Sequence, residues 1–170
     1  SLASDSELIS AQLAGQIAFR SGAGQHSLIG LQQVLSGVKM GLNPRILPLS
    51  HGFKGMCAQA DAETMFQLTH LFMHAPRFDE GAFNREIEVR SAALRNKDVD
   101  PGVLFSDTFH RLWWCDHFRH RPQTLSDMAR LDFDDARRFF HDAMSFKGAF
   151  DHVLVGNFQP DEMMRLAEIY

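Results

Sequence analysis

His70 and His74 lie four residues apart in the run HLFMH. That spacing puts two imidazoles on one face of a helix and within reach of one metal ion. The run lacks the glutamate that a hydrolytic H-E-x-x-H helix places beside its metal, and two ligands do not close a zinc site. The pair therefore reads first as two surface or interface histidines on an amphipathic helix. A second group, His110, Cys115, His117 and His120 in FHRLWWCDHFRHRP, carries donor types that bind transition metals. Trp113 and Trp114 sit among them, and Arg111, Arg119 and Arg121 would repel a cation, so a helix end dressed with solvated basic residues accounts for the segment better. Its aromatic and arginine side chains could stack on nucleic acid, but the acidity of the chain opposes that. Cys115 beside a histidine has the parts of a thiol nucleophile; flanked by tryptophan in a helix, it reads instead as a small core hydrophobe. Asp107 and Asp116 are single carboxylates without an evident partner for acid–base work. SGAGQHSLIG has no P-loop Lys-Ser/Thr and follows no strand, so it is not a phosphate cradle.

The elements that must position these residues belong to a chain of 170 residues with a formal net charge of −4, 45% hydrophobic and 22% charged residues. This balance excludes a strongly basic nucleic-acid binder and the low-hydrophobicity class that stays disordered. A domain of this length builds a real core, to which 15 phenylalanines contribute. Two cysteines, Cys57 and Cys115, are too few for a disulfide scaffold and lack metal-finger spacing. No apolar run reaches 18 residues, which leaves no helical membrane span. The start, SLASDSEL, is neither Met-initiated nor a signal peptide, and reads as a piece of something longer.

Ser4 and Glu7 form an S-x-x-E capping box for a helix running to about Phe19 and stopped by Gly22 and Gly24. A short helix follows from about Ser27 to Leu35, closed by Gly37. Val38, Met40 and Leu42 then alternate as a half-buried strand broken at Asn43-Pro44, with a second extended run from about Gly52 to Ala58. Asp61 caps a helix carrying Met65, Leu68, Leu71 and Phe72 that ends before Pro76; Asp79 opens another through Phe83, Ile87 and Leu94. Asp100-Pro101 starts a helix through Phe105 and Phe109 to Trp113. Asp132 starts one with Ala136, Phe139, Phe140 and Ala143. His152 to Val155 reads as a buried strand ended by Gly156-Asn157, and Gln159-Pro160 opens a last helix. Three strands are too few to cover this many helices, so the expectation is a single α+β domain over 1–170 with strands missing at one or both ends.

Several segments together resemble the pitrilysin/insulinase family of zinc peptidases: HLFMHAPRFDEGAFNREIEVRSAALRN, DPGVLFSD, RHRPQTLSDMARLDFDDARRFF and DHVLVGNFQPDEM, in the family's order and over nearly the whole chain from about Ser4. The resemblance implies an antiparallel sheet packed on one face by several helices, one of a series of homologous domains enclosing a chamber. Only the first such domain carries the inverted H-x-x-E-H motif. Its two histidines hold zinc from one helix turn, its glutamate activates the metal-bound water, and a carboxylate from a later helix completes the ligands. Anchoring the first helix on IAFRSG sets Gln12, Gly15 and Gln16 at the two ligand positions and the base position. Aligning REIEV puts Ala93 where the third ligand belongs. Glutamine is a poor zinc ligand, alanine is none, and glycine takes no proton. Glu86 and Glu88 remain on the later helix and are expected to be solvated.

The resemblance thus implies a non-catalytic domain, most like the one opening the C-terminal half of a large bacterial member, with no metal or cofactor of its own. Zinc is expected in the catalytic domain of the parent. The expected partners are sister domains of the same chain and peptide substrate, with no nucleic acid and no membrane span. The family's substrate-gripping Arg and Tyr are not carried over, because Tyr170 is the only tyrosine and is terminal. Family members of this kind are often exported, which favours a periplasmic location and leaves the cytoplasm open. Two alternatives stand beside this reading: a processing-peptidase-like or peptide-binding partner module with no catalytic half, and a stand-alone metalloprotein using His70 and His74.

Overall fold

A computed structural model describes residues 7–47, 50–144 and 150–170. Its first helix, α1 (Leu8–Ser21), is apolar around most of its circumference, with Leu8, Ala11, Leu13, Ala14, Ile17 and Ala18 all buried, as expected of a helix enclosed by other elements. Glu7 precedes it in helical conformation without a side-chain cap; Ser4, the other half of the expected capping box, lies outside the described residues. Gly22 ends α1 at φ +91, where an added Cβ would come within 2.2 Å of the His26 carbonyl oxygen, so the turn admits only glycine. The Ser21 hydroxyl donates to the Ile17 carbonyl and accepts from the Asp79 amide, tying the end of α1 to the start of a later helix.

Helix α2 (Leu28–Val34) is capped by Ser27, whose hydroxyl accepts from the Gly30 amide. Strands β1 (Met40–Ile46) and β2 (His51–Cys57) pair antiparallel, from Met40 opposite Cys57 to Ile46 opposite His51. Asn43-Pro44 does not break β1: the strand continues with Pro44 opposite Phe53. β1 has a hydrogen-bonded strand on one side only among the described residues, and an edge of that kind accommodates a residue without an N–H.

Helices α3 (Ala62–His74), α4 (Glu80–Asn96), α5 (Pro101–Trp113), α6 (Leu125–Met128), α7 (Phe133–Met144) and α8 (Pro160–Ile169) complete the element order. Asp79, Asp100 and Asp132 accept from the amides of the first turns of α4, α5 and α7 as their positions predict. Asp61 does not cap α3; its carboxylate accepts from the Lys39 amide at 3.0 Å, and a short 3₁₀ turn (Gln59–Asp61) leads into the helix instead. The one-turn helix α6 has no apolar period to announce it. A capping box holds it, in which Thr124 accepts from the Asp127 amide and Asp127 accepts from that of Thr124.

The result is a mixed α+β architecture, with α1, α3 and α7 packed on a two-stranded antiparallel sheet. The main core joins Leu13, Ala14, Ile17 and Ala18 of α1 to Phe83, Met128, Ala136, Phe140 and Met144. A second cluster seats Leu68 and Phe72 of α3 under Leu42 of β1, and a third joins Met163 and Leu166 of α8 to Ala62. The expected buried strand at His152 to Val155 is not formed. The segment has no regular secondary structure and is neither paired nor covered, with Val153 85% and Val155 94% exposed. A strand exists by hydrogen bonding to a neighbour, and among the described residues no backbone hydrogen bond reaches this one.

Candidate functional site

The chemistry expected of this chain converges on α1 and α4, which pack against each other. On α1, Gln12 and Gln16 are half-buried and Gly15 is buried. A Cβ on Gly15 would lie 3.4 Å from the Pro44 carbonyl oxygen and 3.5 Å from the Pro44 Cβ, so α1 lies close to β1 here with room for a methyl group in ordinary contact. Ala93 is exposed on α4. Two amides, a hydrogen and a methyl group do not make a zinc donor set, and these residues do not fit that metal.

A polar network links the two helices. Gln12 Oε1 accepts from Gln123 Nε2 at 3.5 Å, and Gln123 Oε1 accepts from Arg90 Nη1 at 3.5 Å. Arg90 Nε donates to Glu86 Oε1 at 2.6 Å, one helical turn away. Arg20 of α1 brings its Nε to 2.7 Å from Glu86 Oε2, an ion pair rather than an aligned hydrogen bond. Glu86 is 4% exposed, so the expectation that it is solvated is wrong; Glu88, two residues on, is exposed as expected. The i,i+4 spacing of Glu86 and Arg90 was readable in the sequence. The approach of Arg20 from another helix was not, and it is what makes burial of the carboxylate tolerable.

Arg121 is not a solvated basic residue either. It grips Asp127 with two parallel hydrogen bonds of 2.7 Å each, and the Thr124 amide and hydroxyl donate to the same carboxylate. Asp127 is almost completely buried. The Arg121 hydrogen bonds, against the opposing effect of burial and with help from Thr124, hold its carboxyl at a pKa of about 2.

The histidines and cysteines occur in separate places, two of the histidines as a pair. The rings of His70 and His74 stack with centroids 4.0 Å apart; His74 Nδ1 contacts the His70 carbonyl at 3.0 Å, and His70 Nδ1 contacts the Tyr170 carbonyl. Cys115 is exposed rather than part of a core, as is Cys57. Cys115 and Asp116 take left-handed backbone angles (φ +50 and +51) that end the α5 region, and Trp114 stacks on His120 at 4.1 Å. Asp107 is paired with Lys97 at 3.0 Å. Among the described residues, no three His, Cys, Asp or Glu side chains are grouped so as to hold a metal ion. No helix among them is long and apolar enough to cross a membrane.

No protein-family model matches the chain, and no curated protein sequence matches it significantly. Solved structures do. The chain is similar to the periplasmic protease PqqL from Escherichia coli, with a TM-score of 0.67 at 17% identity, over 98% of this chain and 19% of that one. It is also similar to the ferredoxin protease FusC, solved as a point mutant in complex with Arabidopsis ferredoxin, with a TM-score of 0.60 at 16% identity over 79% of this chain and 15% of that one. A conserved protein from Enterococcus faecalis V583 gives 0.60 at 12% identity, over 82% of this chain and 38% of that one. At these identities the likeness is one of fold: the chain folds like part of a protease chain and spans less than a fifth of the two proteases.

Proposed function

We propose that this chain is a non-catalytic domain of a pitrilysin-type zinc metalloendopeptidase, helping to wall the chamber that holds the peptide while a separate domain supplies zinc and the general base. The observation that carries the reading is the composition of the α1–α4 junction. By the resemblance, Gln12, Gly15, Gln16 and Ala93 would take the places of the family's ligands and base, and in the structure Gly15 lies against Pro44 and Glu86 is paired with Arg20 and Arg90. The fold shared with PqqL and FusC, each several times longer than this chain, supports a role as one part of such a protein. Peptide substrate and sister domains are the partners this role implies, and the zinc belongs to the catalytic domain.

The test is a peptidase assay on the 170-residue chain with a set of quenched fluorescent peptides, with and without a chelator. The reading requires no chelator-sensitive hydrolysis. Turnover that disappears with chelator and returns with zinc overturns it.

A further inference from the structure

We infer that the exposed aromatic stripe of α5 is a pairing surface on which a second copy of this chain docks, helix against antiparallel helix, as a symmetric dimer. The inference stands apart from the peptidase reading, since it depends on neither zinc nor catalysis.

α5 buries no residue. A helix of 13 residues is marginal in water unless one face packs on something, and the Val, Thr, Phe and Trp of α5 are not strong helix formers. The Asp100 cap and the Pro101 start help it begin but do not shelter its apolar side. That side is a stripe of Phe105, Phe109, Leu112 and Trp113, spaced i, i+4, i+7 and i+8 and 73%, 48%, 76% and 68% exposed. Its rings are already stacked, Phe105 on Phe109 with centroids 6.4 Å apart and Phe109 on Trp113 at 5.5 Å. Rings ordered before association lose little further freedom on docking, and aromatic anchors of this kind carry most of the energy of an interface.

Area, charge and symmetry select the occupant. At about 200 Å² per large side chain, the exposed parts of the stripe offer roughly 500 Å². Two such stripes face to face bury roughly 1,000 Å², which reaches what a specific interface needs. The segment 100–121 holds three aspartates and three arginines, so the chain's net charge of −4 lies elsewhere. Two copies that repel each other over the rest of their surfaces therefore meet here without net charge. A helix lying on a lipid surface needs a polar face rich in Lys and Arg; that of α5 carries Asp107, His110 and Arg111 and has no such excess. The stripe is also self-complementary. With a two-fold axis at Phe109, an antiparallel copy sets Phe105 of one chain opposite Trp113 of the other, each about 6 Å from the axis at about 1.5 Å of rise per residue. The same arrangement brings each helix N-terminus toward the C-terminus of the other, which favours the pairing.

The test is sedimentation equilibrium of the 170-residue chain from about 1 to about 300 µM, with tryptophan emission followed over the same range. Trp113 lies on the stripe, Trp114 ends the helix, and the chain has no other tryptophan, so the emission reports on this face. A monomer–dimer equilibrium in the micromolar range is expected, with a blue shift of the emission at the same midpoint. Phe105→Ser with Trp113→Ser should weaken dimerisation by at least about tenfold. Leu112→Glu, which forces a carboxylate from each copy into the apolar contact, should do the same while leaving thermal unfolding at about 1 µM unchanged. Ile29→Ser, at a position of α2 that is 67% exposed and off the stripe, should leave dimerisation as it is. The inference is overturned by a chain that stays monomeric throughout, including one that binds phosphatidylserine vesicles instead. It is equally overturned by a dimer that forms without the emission shift, by one that both stripe variants leave intact, or by one that Ile29→Ser weakens as much as they do.

Discussion

Replacing Glu86 by alanine tests the internal logic of the α1–α4 junction. The substitution removes a carboxylate that is 4% exposed, together with its contacts of 2.6 Å to Arg90 and 2.7 Å to Arg20. Breaking a buried ion pair from one side costs about 3–5 kcal/mol when the remaining charge is trapped. Here the remaining charges are not fully trapped, because Arg20 and Arg90 are 40% and 33% exposed and can turn toward water. Solvent screening at that exposure lowers the expected loss to about 2 kcal/mol. For a chain of this length that corresponds to a fall in Tm of about 4–8 °C. Urea unfolding at about pH 7 followed by circular dichroism measures it, with Glu88→Ala as the matched control on the exposed face of the same helix, expected to change stability by less than about 0.5 kcal/mol. Equal effects of the two substitutions would refute the reasoning, since they would mean that Glu86 is as solvated as its neighbour.

Three other perturbations follow from the same structure. Asp127 has its carboxyl pulled down to about 2 from an ordinary 3.8, so its contribution to stability is full above about pH 4 and fades as pH falls toward 2. Asp127→Asn should cost about 2 kcal/mol at neutral pH and flatten the acid limb of the stability–pH curve between about pH 4 and 2, read by denaturant unfolding at each pH. Gly15→Glu should destabilise the chain by about 1–3 kcal/mol through overpacking against Pro44, while leaving it unable to hydrolyse peptides; a variant as stable as the parent would show that α1 does not press on β1. Phe105→Ser with Trp113→Ser should change stability by less than about 0.5 kcal/mol, because α5 buries no residue and these side chains are 73% and 68% exposed; thermal unfolding checks it.

What was legible in the sequence was local. The glycine stop after α1, the start of α2 at about Ser27, the aspartate starts of α4, α5 and α7 and the proline starts of α5 and α8 each depend on residues within one turn, and each forms as read. Most of the misreadings involve a partner beyond one helical turn or a missing neighbour. Asp61 is drawn from its helix to the amide of Lys39, Glu86 is enclosed by Arg20 from another helix, and Arg121 is turned inward by Asp127. Pro44 stays in its strand because β1 has an edge to spare, and His152 to Val155 fails as a strand because it has no neighbour to bond among the described residues. For the candidate site, the identities of Gln12, Gly15, Gln16 and Ala93 were readable at once. The contact of Gly15 with Pro44 and the network through Gln123 were not, since both need the tertiary fold.

The most direct measurement is a calorimetric titration of the 170-residue chain with zinc at neutral pH, paired with metal analysis of the dialysed protein. The account predicts no stoichiometric, high-affinity site. One tightly held zinc per chain, lost when Gln12 or Gln16 is replaced by alanine, would contradict it.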